Sequence, residues 1–163
     1  MKNSDWFNST EYPFESKYLQ IGPHQMHYID EGKGPTILFI HGTPTWSFLY
    51  RKQIHALAGN FRCVAIDNIG FGLSDKPEIA DYSPEWHSQN LEKLVEALQL
   101  KDITLVVHDF GGPIGLSFGG PGQNHLKSCA PEHLSLGKRQ AISGGAKVDK
   151  IVRSALGRFC ICE

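Results

Sequence analysis

The sequence predicts an α/β fold: a mostly parallel sheet with helices on both faces, entered through an antiparallel N-terminal hairpin. Two observations carry this expectation. Continuous apolar runs such as Pro35–His41 and Ile103–Val107 read as strands covered on both faces. They alternate with stretches whose apolar residues recur at helical spacing, and that alternation builds a parallel sheet with crossover helices.

Composition agrees with one globular domain. The 163 residues are 40% apolar and 20% charged, with a formal net charge of -1, which excludes disordered and fibrous classes. A charge this balanced gives no field to draw nucleic acid or an anionic membrane. No apolar run approaches the length of a membrane span, and the opening MKNSDWFNSTEYPFE lacks a charged-then-apolar signal pattern. Cytoplasmic residence, with no membrane and no nucleic-acid partner, is the expectation.

Taken in order, Lys17–Ile21 and His24–Asp30 alternate on either side of Gly22-Pro23 and predict a hairpin of half-buried strands. Pro35–His41, closing on Gly42, reads as a central parallel strand. Trp46–Leu57 has helical spacing, and Phe61–Ile66 is a further strand ending at Asp67. The glycine-punctuated loop Asn68–Asp75 follows. Ser83 then offers an N-cap with Pro84 at the first helical position, and Leu91, Leu94, Val95 and Leu98 share one helix face. Ile103–Val107 is the next buried strand.

The character changes near Gly119. From there to Lys147 no period of two or 3.6 is present, so no strand is expected, and residues 119–163 read as an irregular tail behind the ordered portion 1–118. One short amphipathic helix is expected at about 147–159, where Val148, Ile151, Val152, Ala155, Leu156 and Phe159 fall at helical spacing. Cys63 lies in an apolar run and reads as a buried thiol. Cys129, Cys160 and Cys162 form no framework, and no spacing fits a metal site.

Chemistry concentrates in Leu105–Gly115, where a buried strand runs into Asp109 and then into small residues able to open a helix. A sharp strand-to-helix turn lifts the side chain at its apex above the sheet edge, and small neighbours relieve the crowding. Asp109 occupies that apex. The Phe110 N–H, next in the chain, points toward the same place, where it can meet developing negative charge. The bland alternative is that Asp109 is only a helix N-cap. A second segment, Ile40–Trp46, ends an earlier strand and supplies a further backbone N–H near Thr43. Two such loops converge only if both strands are central and parallel. His41 and His108 flank the two turns as orienting residues, while Asp67 and Asp75 are expected to fix the loop between them.

Three segments now gain a common meaning. HGTPTWSFLYR (41–51), DNIGFGLSDKP (67–77) and VVHDFGGPIGL (106–116) resemble, in order, three consecutive signatures of the haloalkane dehalogenases within the α/β-hydrolase superfamily. The resemblance covers about residues 12–118. Epoxide hydrolases, which share an aspartate nucleophile, are similar at the third signature and less so at the first.

The resemblance implies a hydrolase in which Asp109 displaces halide from carbon. An alkyl ester forms on its carboxylate, and water activated by a histidine then hydrolyses it. A carboxylate is ionised at neutral pH and needs no base to attack an sp³ carbon, so no cofactor and no metal are expected. The implied partner is a small apolar, halogenated substrate. Thr43 and Phe110 stand on the oxyanion or halide side, supported by His41, Gly42, His108 and Gly111. Two departures bear on the substrate: Phe110 replaces the tryptophan of well-known members and has no indole N–H to offer a halide, and Thr43 stands where many members carry an asparagine or another polar side chain. The halide pair is thus incomplete, although the backbone donors at both positions remain.

In this fold the acid and the histidine follow the nucleophile in chain order. His125 and His133 fall in the patternless stretch, and neither Glu132 nor Asp149 follows a predicted strand. Residues 141–159 resemble the start of a dehalogenase cap, whereas 119–139 do not resemble the strand that should precede it. Truncation or a reading-frame shift is therefore expected, with impaired turnover. The alternatives are an epoxide or ester hydrolase on the same scaffold, or a non-catalytic remnant that binds a partner. The strand Ile103–Val107 is expected to lack a neighbour, leaving an exposed edge open to self-association.

Overall fold

The computed structural model describes residues 10–118 and 126–132. Lys17–Ile21 (β1) and His24–Glu31 (β2) pair antiparallel, with Leu19 opposite Met26. Thr36–Ile40 (β3) is buried at all five positions, as an apolar run without alternation requires. A 3-10 turn at Ser47–Tyr50 leads into Arg51–Leu57 (α1), so the helix expected from Trp46 begins as a tighter turn. Arg62–Ile66 (β4), Pro84–Ala97 (α2), Ile103–His108 (β5) and Gly111–Phe118 (α3) complete the alternation. The start of α2 is capped as its sequence predicts: the Trp86 N–H donates to Ser83 Oγ at 3.2 Å, with Pro84 in the first turn.

Among the described residues the strands form one six-stranded sheet in the order β1-β2-β4-β3-β5-β6. β2 meets β4 antiparallel, and the four strands from β4 to β6 run parallel. Residues on β3 alternate between two cores. Ile37 and Phe39 join Cys63, Ala65, Val106, Tyr50 and Ile54 on the α1 side. Leu38 and Ile40 join Val64, Ile66, Leu105, Leu91 and Ile114 on the side of α2 and α3. Each fully buried aliphatic or aromatic side chain contributes roughly 1.5–3 kcal/mol, so Ile37, Leu38, Phe39 and Ile40 anchor β3 to both cores. Cys63 is buried as expected, and loss of solvent pushes its thiol up to about 12.

One expectation fails. Leu126–Glu132, inside the stretch read as strandless, forms β6 and pairs in parallel with β5, Val106 opposite Ala130. Backbone groups make that ladder, so a strand at the sheet's border needs no long apolar run. Leu126-Lys-Ser-Cys-Ala-Pro-Glu132 carries no readable period, and Pro131, which cannot donate to a ladder, is tolerated on an outer strand. The edge of β5 is therefore covered rather than bare, and the self-association expected there loses its basis. The helix expected at 147–159, with Cys160, Cys162, His125 and His133, lies outside the described residues. Among the described residues no helix is long and apolar enough to cross a membrane.

Strand order decides where a site can form. From β3 the chain moves to β4 on one side, then crosses back to β5 on the other. The carboxyl ends of β3 and β5 therefore diverge at a topological switch point, where the loops leave a crevice.

Candidate active site

Asp109 follows the last residue of β5 and precedes α3 by one residue, with φ 49. The left-handed region costs an L-residue about 1–2 kcal/mol, and local bonds hold the chain there. The Gly112 N–H donates to the Asp109 carbonyl at 2.9 Å, closing the turn. Gly111 makes the turn possible: a Cβ there would lie 2.2 Å from the Ile40 carbonyl oxygen and 2.8 Å from that of His41. The helix thus starts with its backbone pressed on the end of β3. Asp109 itself is exposed above the sheet.

The carboxylate is held from both strands. The Thr43 N–H donates to Asp109 Oδ1 at 3.1 Å across 66 residues of sequence. The Phe110 N–H and then this Thr43 bond keep Asp109 below the usual carboxylate range, with nearby His108 assisting and slight desolvation opposing. Gly42 lets the loops come this close, since a Cβ there would meet Asp109 Cβ at 2.5 Å and the His108 carbonyl oxygen at 2.7 Å.

His41 is a positioning residue. The Asn68 N–H donates to its Nε2 at 2.9 Å, which makes that nitrogen an acceptor and places the proton on Nδ1. Nδ1–H then donates to the Gly42 carbonyl, also at 2.9 Å. Burial lowers the pKa of His41 in spite of that bond, consistent with a neutral ring whose two nitrogens are engaged. The Gly42 carbonyl also accepts from Thr45 N–H and Thr45 Oγ1, which fixes the loop that carries Thr43.

Asp67 fixes the neighbouring loop, as expected, and does more. It is fully buried and accepts from Ser47 N–H and Leu73 N–H, each at 2.8 Å, and from His27 Nδ1 at 2.9 Å. Burial opposes its ionisation, but the His27 and Leu73 bonds outweigh that and lower its pKa. Asp75 closes the loop by accepting the Gln25 N–H at 2.7 Å. The sequence offers a signal for the missed partner: His27 stands beside Met26 in a half-buried strand, and a buried imidazole needs an acceptor.

His87 was also missed. It is 1% exposed on α2, with its ring 6.2 Å from that of Phe110, and neither ring nitrogen has a partner among the described residues. Desolvation first, then the field of His41, pulls it down to about 4. His108 flanks Asp109 with its Nδ1 buried and without a partner among the described residues. Among the described residues no cluster of three His, Cys, Asp or Glu side chains is arranged to hold a metal.

An ionised carboxylate at a strained apex, steadied by two backbone N–H groups, can attack an electrophilic carbon in the crevice. Comparison with known proteins places the chain in a family. A family model of the α/β hydrolase fold matches residues 35–130, running past Phe118 into β6. Haloalkane dehalogenase 2 of Mycobacterium tuberculosis is 46% identical over 106 residues, which is 65% of this chain and 37% of that protein. The structure of the haloalkane dehalogenase DatA from Agrobacterium tumefaciens C58 superposes with a TM-score of 0.69 at 31% identity, covering 77% of this chain and 43% of that one. A mutant epoxide hydrolase from Vigna radiata superposes at 0.70 with 28% identity, covering 79% and 41%. The chain spans less than half the length of each of these relatives.

Proposed function

The chain belongs to the α/β-hydrolase fold family, similar to haloalkane dehalogenases, and on that premise we propose that Asp109 is its nucleophile toward small halogenated alkanes. One carboxylate oxygen attacks the carbon in line with the halide. The C–O bond forms as the carbon–halogen bond breaks, leaving an alkyl ester on Asp109 and a free halide ion. The observation that carries this proposal is the Thr43 N–H bond to Asp109 Oδ1, which joins the two signature loops at one carboxylate. Phe110 and Thr43 stand on the departing side, where their backbone N–H groups hold the Asp109 carboxylate and Phe110 adds no side-chain donor. Gly42 and Gly111 permit the approach, and His41 and His108 support the two turns.

The half-reaction these residues support is alkylation. His41, neutral and engaged at both nitrogens, has no free lone pair with which to activate water. Hydrolysis of the ester therefore needs a base other than His41. An epoxide is the second reading, favoured by the similarity to the Vigna radiata epoxide hydrolase and by the missing indole donor at Phe110. There the same attack on an sp³ carbon opens a ring instead of releasing an ion.

Intact mass measurement tests both. The full chain is incubated with excess 1-bromobutane or, separately, with styrene oxide, and the adduct is located by peptide mapping. A butyl group on Asp109, absent in Asp109→Asn, is the expected result. An adduct from styrene oxide alone selects the epoxide reading. Alkylation spread evenly over surface carboxylates, or none with either reagent, refutes the assignment of Asp109.

A further inference from the structure

Ser16, His27 and Asp67 form a hydrogen-bonded line of their own. His27 lies in β2, three strand positions from β5, which at sheet spacing is about 14 Å from the strand that ends at Asp109. Asp67 Oδ2 sits 2.9 Å from His27 Nδ1. That carboxylate already accepts two backbone N–H groups and has no proton to give, so His27 donates to it through Nδ1. Nε2 lies 3.1 Å from Ser16 Oγ. When the ring is neutral, Nε2 carries the lone pair and the Ser16 hydroxyl donates to it.

The ring is fixed from several sides. The His27 N–H donates to Ser74 Oγ at 2.8 Å, the Asp67 N–H donates to the His27 carbonyl at 2.9 Å, and the Tyr18 ring stands against the imidazole at 5.3 Å. His27 and Asp67 are both fully buried, while Ser16 is exposed to solvent. A clamp between β2 and β4 accounts for the buried pair. It does not account for a solvent-facing hydroxyl aligned on the remaining nitrogen. Carboxylate, imidazole and hydroxyl in this order make the arrangement in which a base takes the hydroxyl proton as oxygen attacks.

We propose that Ser16 is an activated nucleophile, separate from Asp109, that captures activated acyl or phosphonyl esters from solvent. Ser16 Oγ bonds to the acyl carbon or the phosphorus. The bond to the leaving group breaks, and that group departs with the electron pair. The hydroxyl proton passes to His27 Nε2 and then to water. The claim covers this capture step alone.

An alkyl fluorophosphonate tests it on the full chain: the Oγ–P bond forms, the P–F bond breaks and fluoride leaves. Ser117, exposed in α3, is the reference within the same molecule. General-base assistance is worth about 10²–10⁴-fold, so Ser16 should label about a hundredfold faster than Ser117 in the folded chain. In concentrated urea the two rates should converge. Ser16→Ala should remove the fast label, and His27→Gln should slow it to the Ser117 rate, with circular dichroism reporting whether that variant stays folded. Equal labelling of Ser16 and Ser117 in the folded wild-type chain overturns the proposal, and that comparison needs no variant to fold.

Discussion

Gly42→Ala is the smallest change that separates the two halves of the Asp109 site. The added Cβ would lie 2.5 Å from Asp109 Cβ, 2.5 Å from Asp109 Oδ1 and 2.7 Å from the His108 carbonyl oxygen. Carbon atoms in contact prefer about 3.5–4.0 Å, so the loops must part by about 1 Å. Two of the three obstacles are rigid, since Asp109 Cβ and the His108 carbonyl move only with the backbone of β5 and its turn. The Asp109 turn is already held at φ 49, which leaves the His41–Thr45 loop to lift. The Thr43 bond to Asp109 Oδ1, at 3.1 Å, has little slack and passes out of hydrogen-bonding range. A misplacement of about 1 Å can cost roughly a hundredfold in rate, and overpacking of this kind destabilises by about 1–3 kcal/mol. Alkylation of Asp109 by 1-bromobutane, followed by intact mass and normalised to the folded fraction, should slow about a hundredfold in line with that misplacement. Gly59→Ala is the control: a Cβ there meets nothing within 4 Å and the residue has no positive φ, so its rate should match wild type. A folded Gly42→Ala chain that alkylates at the wild-type rate would refute the coupling between the two loops.

Two further substitutions test the surrounding polar groups. His87 has its pKa pulled down to about 4, so between the ordinary value of 6.5 and about 4 the unfolded chain binds a proton that the folded chain does not. Stability contributed by the neutral ring is therefore complete above 6.5 and lost as pH falls toward 4. At about 1.4 kcal/mol per pH unit the interval amounts to about 3 kcal/mol. Half-buried neighbours such as Phe71 and Tyr82 admit solvent screening, which reduces this to about 1.5 kcal/mol. Urea melts of wild type and His87→Phe at pH 7.5 and 4.5 should differ by about that margin in their pH dependence, and parallel behaviour counts against the buried neutral ring. Asp67→Asn leaves either a backbone N–H or the His27 ring without its acceptor, and breaking a buried charged network costs about 3–5 kcal/mol. Because the folded pKa of Asp67 is lowered, its contribution is present above the ordinary carboxylate value and disappears as pH falls through the folded one. Thermal melts at pH 7 should show the loss, and a change under 1 kcal/mol would mean that Asp67 is not the hub its three bonds suggest.

The parts of the molecule legible in the sequence are those where a local pattern and a tertiary role coincide. β3 and β5 are buried on both faces, so their apolar runs have no alternation to confuse, and the Ser83-Pro84 start of α2 is written in two adjacent residues. The Asp109 turn was legible because its glycines, its preceding strand and the His41-Gly42 loop each predict one half of the same crevice. β6 was not, because an outer strand is held by backbone pairing and its side chains need carry no period. His27 and His87 were not, for a different reason. A buried histidine looks like any other until its neighbours are known, and the partners that define His27 come from Ser16 and Asp67, 11 residues before it and 40 after it.

The chemistry of the crevice divides along the same lines. In the proposed reaction, attack on carbon would rest on what β3 and β5 bring together: an ionised carboxylate, its fixed orientation, and two backbone N–H groups that hold it in place. Those N–H groups are engaged with Asp109 itself, so they orient the nucleophile without discriminating one leaving group from another. Phe110 adds an apolar ring and no side-chain donor. An exposed carboxylate is also hydrated, and displacement at carbon accelerates only when that water is shed. Any side chains brought over Asp109 would then have to do two things at once, excluding water from the attacking oxygen and offering hydrogen bonds to the departing group. A halide needs donors alone, whereas an opened epoxide also needs a proton. If Asp109 is the nucleophile proposed above, the strands supply the attacking oxygen, and whatever covers it would select the departing group.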